Sequence, residues 1–170
     1  DGEIRFEQRG GGKSEPTVAS AGPKIALAEN TTDHLVDDIN ALREALSGYI
    51  SALHRPVGVE RIAVTSSGVS ALMLAQQALV GPGDEVVVVV PVWPNLTAQP
   101  AIMGARVRRV SLRAEAGAWR LDLDELLAAV TPATRVLVLN APNNPTGWTL
   151  TRAEQQTILG FLTQLCKVLD

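Results

Sequence analysis

The segment Glu85–Val90 constrains this chain more than any other, because its five consecutive valines leave it no polar face. β-Branched residues favour extended backbone. A strand open to water on one side alternates apolar and polar residues. One without alternation has to be covered on both faces, as in a parallel sheet between layers of helix. The flanking sequence supplies the rest of such a sheet. Arg61–Thr65 (RIAVT), Arg106–Leu112 and Arg135–Asn140 (RVLVLN) read as further strands. Between them lie helical patterns. Val69–Val80 is rich in Ala and Leu and is closed by Gly81-Pro82-Gly83, and Asn95–Met103 has Gly104 in the C′ position. Asp122–Val130 has Asp122 as N-cap and Glu125 at N3, and Thr151 with Glu154 forms a capping box opening a last helix to about Leu165. Strand and helix in alternation predict an α/β fold, a mostly parallel sheet flanked by helices.

Ahead of this alternation, Leu35, Ile39, Leu42, Leu46, Tyr49 or Ile50, and Leu53 recur at helical steps and predict an amphipathic helix with Thr32 or Asp33 as N-cap. Residues 1–30, broken by Gly10, Gly11, Gly12, Pro16, Gly22 and Pro23, read as an irregular arm, which leaves 31–170 as the α/β domain.

Composition narrows the function. With 46% hydrophobic and 19% charged residues the chain fits a globular protein rather than a disordered one. The valine run is too short to span a bilayer, residues 1–12 do not read as a secretory signal, and a cytoplasmic location is the default expectation. A net charge of −3 without a Lys/Arg cluster gives no nucleic-acid surface, and neither a nucleic acid nor a membrane is expected as partner. The lone Cys166 excludes an internal disulfide and a CxxC metal site, while His34 and His54 sit on or beside the first helix as solvated residues, so no metal ligand set is expected.

Three segments can carry chemistry. In Thr65-Ser66-Ser67-Gly68-Val69-Ser70-Ala71-Leu72 a strand runs through small residues into a helix. Orphan N–H groups, the positive end of the dipole and short hydroxyls there favour a phosphate, though ordinary capping accounts for the same residues. Pro91-Val92-Trp93-Pro94 puts an indole directly after the valine strand, where open α/β sheets bind ligands, and the indole can stack on a heteroaromatic ring or merely pack. Asn140-Ala141-Pro142-Asn143-Asn144-Pro145-Thr146-Gly147 follows another strand; its amides can donate to a ligand oxygen, and its composition also suits a turn. Two phosphate-binding motifs fail. Gly12-Lys13-Ser14 lacks the earlier P-loop glycine, Glu7 standing there, and Gly81-Pro82-Gly83 meets Val86 where a dinucleotide fingerprint needs its third glycine.

Asn143-Asn144-Pro145-Thr146-Gly147, standing in order after Thr65–Leu72, the Gly81–Val86 turn and strand, and Pro91–Pro94, resembles class I/II aminotransferases over residues 42–158. These are pyridoxal 5′-phosphate (PLP) enzymes of fold type I. The resemblance implies part of a large PLP-binding domain, amino-acid and 2-oxo-acid substrates, and a homodimer when complete. It implies that Ser67, Gly68 and Val69 bind the PLP phosphate, that Trp93 stacks on the pyridine ring, and that Asn144 donates a hydrogen bond to the 3′-oxygen. A PLP-dependent lyase or synthase of the same fold carries the same motifs. Other features depart from the family. Lys13, Lys24 and Lys167 do not match the Schiff-base lysine, Asp170 does not match the aspartate that pairs with the pyridinium nitrogen, and residues 1–41 and 160–170 lack the family's usual sequence. No catalytic residue is assigned. The expectation is a PLP-binding domain that stops before its lysine and is inactive alone, the alternative being a non-catalytic or partner-dependent remnant. The purified chain given PLP, amino acids and 2-oxoglutarate should therefore show no transamination above that of free PLP; enzymatic turnover by a soluble monomer would overturn this expectation.

Overall fold

The computed structural model describes residues 32–169, so the arm expected over residues 1–30 lies outside the described residues. The chain divides into two units, Asp1–Ser66 and Ser67–Asp170. In the first, the predicted amphipathic pattern forms helix α1 (Thr32–Leu53), none of whose residues is buried. A single 3-10 turn, Val59–Arg61, follows. Arg43 ties the two together. Its Nε donates to the Ile62 carbonyl at 2.9 Å, one terminal nitrogen donates to the Val59 carbonyl at 2.8 Å, and the other reaches Asn40 Oδ1 at 3.2 Å. This corrects one expectation, since Arg61–Thr65 is not a strand. The groups that Ile62 would contribute to a ladder are engaged elsewhere, its N–H with the Val59 carbonyl at 3.1 Å and its carbonyl with Arg43.

The second unit is the α/β domain. Helix α2 (Gly68–Leu79) leads into β1 (Glu85–Val90), helix α3 (Asn95–Ile102) and β2 (Arg106–Ser111). A small antiparallel hairpin, β3 (Arg113–Glu115) and β4 (Ala118–Arg120), precedes helix α4 (Leu123–Ala129), β5 (Thr134–Val138) and helix α5 (Arg152–Leu169). The main sheet is parallel with strand order β2-β1-β5. The valine strand is therefore central, and Val86, Val87, Val88 and Val89 are each at most 1% exposed. Burying each contributes about 1.5 kcal/mol or more.

The pleat sends alternate valines into two cores. Val87 and Val89 pack with Val110, Leu126, Val130, Trp148 and Ile158, a layer drawn largely from α4 and α5. Val86 and Val88 pack with Val80, Ala105, Val107, Val136 and Val138, which include the residues just beyond α2 and α3. At the amino end of β1, buried Glu85 is satisfied from both neighbouring strands, by Arg108 at 3.4 Å and by the Thr134 hydroxyl at 3.1 Å. A buried carboxylate without such partners would be strongly destabilising.

Local signals set the ends of the helices. Asp122 caps α4 by accepting from Glu125 N at 3.0 Å. Thr151 and Glu154 form the reciprocal box, Glu154 N to Thr151 Oγ1 at 3.2 Å and Thr151 N to Glu154 Oε2 at 2.6 Å. Helix α3 closes with Gly104 at φ +83, its N–H on the Ala101 carbonyl and that of Ala105 on the Pro100 carbonyl. That pair of bonds is a Schellman motif. A side chain at Gly104 would also meet Pro82 at 3.2 Å, so both backbone and space require glycine. The hairpin was not anticipated. Its turn, Ala116-Gly117, has positive φ at both residues, and β3 and β4 are exposed and lack an apolar alternation to announce them.

Leu126, 0% exposed between β1 and α5, should be the more sensitive of two leucines to truncation. Leu126→Ala is expected to cost about 3 kcal/mol in urea unfolding, whereas Leu159→Ala, at a position 63% exposed, should cost under about 0.5 kcal/mol.

Candidate functional site

β1 is followed in sequence by β2 on one side, while β5 lies on its other side. The direction of strand addition thus reverses at β1. The crevice at the carboxyl ends of strands flanking such a reversal is where open α/β sheets bind ligands. Trp93 lies just past β1 and Asn144 a short way past β5. Adjacent strands run about 4.8 Å apart, so both segments leave the same end of the sheet from neighbouring strands. Helix α2 precedes β1 through a tight turn, with its start directed toward that end. The 12 residues of α2 and the 6 of β1 have matching lengths of about 18 and 20 Å.

The start of α2 is an N-cap built on Ser67. Its Oγ accepts from Ser70 N at 3.2 Å and lies 3.0 Å from Ser70 Oγ, while its carbonyl accepts from Ala71 N at 3.0 Å. Ser67, Gly68 and Val69 are exposed. Gly68 and Val69 belong to the turn whose N–H groups have no carbonyl to reach within the helix, at the positive end of the dipole. A Cβ built on Gly68 meets nothing within 4 Å, so no atom of the described chain fills the space beside this backbone.

Trp93 is half-buried, and its carbonyl accepts from Leu96 N at 3.0 Å, which joins the loop to the first turn of α3. Asn144 sits on a loop that closes around Asn143. Asn143 N donates to the Trp148 carbonyl at 2.7 Å, Gly147 N to the Asn143 carbonyl at 2.8 Å, and Thr146 N to Asn143 Oδ1 at 3.3 Å. Gly147 has φ +71, which glycine adopts at no steric cost. Asn143 is 5% exposed and holds the ring from inside; Asn144 is exposed on it, and its amide makes no hydrogen bond among the described residues. The buried Nδ2 of Asn143 has no acceptor there either.

The structure thus brings the stacking and amide candidates, Trp93 and Asn144, to one edge, together with the α2 start that carries Ser67, Gly68 and Val69. Motif reading gave individual roles to those five; it named Asn143 only as one of several amide donors and passed over a pair of buried glutamines, Gln76 and Gln99. The signal for Asn143 was present as an Asn three residues before Thr146, the spacing at which a capping side-chain oxygen accepts from backbone N–H. Among the described residues no group of three or more His, Cys, Asp or Glu could hold a metal ion, and no helix is long and apolar enough to cross a membrane.

The architecture is an α/β domain with an exposed, Ser67-capped helix start, a half-buried indole after β1 and an exposed amide after β5. The chain belongs to the class I and II aminotransferase family, whose model matches residues 4–169. It is 36% identical over 158 residues to the arginine–pyruvate transaminase AruH of Pseudomonas aeruginosa, covering 90% of this chain and 38% of that protein. It is 37% identical over 137 residues to an aspartate/prephenate aminotransferase of Thermus thermophilus, covering 78% and 34% respectively. Among solved structures, Escherichia coli YbdL, for which a methionine aminotransferase function is described, superposes with a TM-score of 0.68 at 29% identity, over 74% of this chain and 33% of that one. The chain therefore spans little more than a third of the length of the relatives it matches.

Asn143→Ala removes the acceptor that holds Thr146 N–H and should destabilise the domain by about 1–2 kcal/mol. Hydrogen exchange at Thr146 and Gly147 should accelerate while that of β1 does so only to the extent of the global loss. Uniform acceleration of loop and strand would show that the loop has no stability of its own.

Proposed function

We propose that this chain is the cofactor-binding portion of a PLP-dependent transaminase acting on an amino acid and a 2-oxo acid. The observation that carries the reading is the family match over residues 4–169; in support, Trp93 and Asn144 follow neighbouring strands of one parallel sheet. The donor set suits PLP. Backbone N–H groups of Ser67, Gly68 and Val69 would hold the phosphate at the α2 start, where the positive end of the dipole lies and the open space over Gly68 admits an oxygen. Trp93 would lie against the pyridine ring, and its half-burial removes one wall of water from that surface. Asn144, kept free of hydrogen bonds within the described chain by the ring around Asn143, would donate to the 3′-oxygen. Once bound, PLP supplies the electron sink for the electron pair left when an amino-acid α-carbon loses its proton. The residues named here bind and orient; none is assigned to carry that proton. A homodimer and a cytoplasmic location accompany this reading as expectations of the family.

Titration with PLP and with pyridoxal, followed by tryptophan fluorescence and cofactor absorbance, tests the reading. PLP should bind more tightly than pyridoxal, non-covalently, with no single lysine trapped by borohydride. Asn144→Ala should weaken PLP about tenfold or more and shift its absorbance, through loss of a hydrogen bond to a charged oxygen. Equal binding of PLP and pyridoxal, or an Asn144→Ala chain indistinguishable from the parent, would remove this site.

A further inference from the structure

The buried surface of α2 is unusual. The helix reads Gly-Val-Ser-Ala-Leu-Met-Leu-Ala-Gln-Gln-Ala-Leu, yet the residue it buries is Gln76, at 6% exposure, while Leu74 and Leu79 are more than half exposed. Gln76 meets a second buried amide, Gln99 of α3, also 6% exposed. Gln76 Nε2 donates to Gln99 Oε1 at 3.1 Å, and Gln99 Nε2 donates to the carbonyl of Val69 at 3.3 Å. Gln99 thus grips α2 at two heights, mid-helix through Gln76 and in the first turn through Val69.

The pair does not serve polar satisfaction as such. Gln76 Oε1 is buried without a partner. An unmet buried acceptor is costly, and replacing both members of a buried hydrogen-bonded pair by apolar groups of similar shape is often neutral or stabilising. A methionine pair would pack α2 on α3 as well. What amides add is direction, since a hydrogen bond fixes distance and angle where apolar contact lets helices slide.

The two ends of this bridge matter because of what they adjoin. Val69 stands in the turn capped by Ser67, and Gln99 stands on the helix that begins directly after Trp93, whose carbonyl holds the first turn of α3. We propose that Gln99, seconded by Gln76, is a positioning residue that fixes the phosphate-binding turn of α2 relative to Trp93. The inference rests on the cofactor reading above. A ligand engaging both features gains from their fixed separation, because its second contact is made at a high effective concentration only when the spacing is right. A ligand engaging one feature gains nothing.

The full chain is compared with Gln76→Met/Gln99→Met. Three probes are titrated: PLP, which needs both features; pyridoxal, which needs Trp93; and inorganic phosphate, which needs the helix start. PLP affinity should fall about tenfold, while pyridoxal and phosphate stay within about twofold. Hydrogen exchange of the Ala71–Met73 amides, which needs no ligand, should accelerate about tenfold, with the urea midpoint unchanged or raised. Gln76→Leu/Gln99→Leu, a second uncharged pair that also loses the donor to Val69, should show the same split among probes if the methionine variant folds poorly. An equal loss for all three probes, or unchanged exchange in the first turn of α2, overturns the proposal. If the parent chain binds PLP no better than pyridoxal, the cofactor reading fails, and the exchange measurement alone then decides whether Gln99 anchors the turn.

Discussion

Everything in the α/β unit depends on one strand that has no side fit for water. β1 has neighbours on both edges and layers on both faces because its valines admit nothing else. The partners of β1 determine the rest. β2 and β5 have to lie on opposite sides of it, so the chain crosses from one edge to the other after β2. That crossing makes the carboxyl end of β1 a point where loops diverge and leave a crevice. The place of the candidate site follows from the need to bury valines, and none of the residues that would touch a ligand belongs to either core beside β1.

This division of labour extends to the loops. The Asn143 ring is closed by hydrogen bonds within residues 143–148, and Trp148 anchors it in the core beside Val87 and Val89. Asn144 is carried on a closed, anchored frame rather than on a free strand end. The start of α2 is held in a comparable way, by an N-cap within the helix and by Gln99 from outside it. Gly68, Val69 and Asn144 are exposed, while Gln99 and Asn143, which hold the backbone beside them, are buried.

The elements most legible in the sequence were those with a local physical signature. The valine run, the Asp122 cap, the Thr151–Glu154 box and the glycine after α3 each specify their conformation within a few residues, and the structure follows them closely. The motif order from Thr65 to Gly147 likewise located the family. What was not legible depends on distant partners. RIAVT has strand-like composition, but Arg43, far back on α1, takes a carbonyl that a ladder would need. The β3–β4 hairpin is exposed on all its residues and so has no apolar period to detect. Gln76 has no local signal of burial on an Ala- and Leu-rich helix, and only its meeting with Gln99 shows that the helix turns a polar side chain inward.

The grip of Arg43 has a consequence for solubility. A short, largely apolar and partly exposed segment such as Ile62–Thr65, were it to add to a sheet, would offer a second chain its backbone hydrogen-bonding groups. At Ile62 neither group is on offer, the N–H being folded back into the 3-10 turn and the carbonyl covered by a guanidinium. The planar, always-charged fork of arginine spans two carbonyls at once, which the single ammonium of lysine does not reproduce. In that position Arg43 withholds the Ile62 carbonyl from any strand laid beside it.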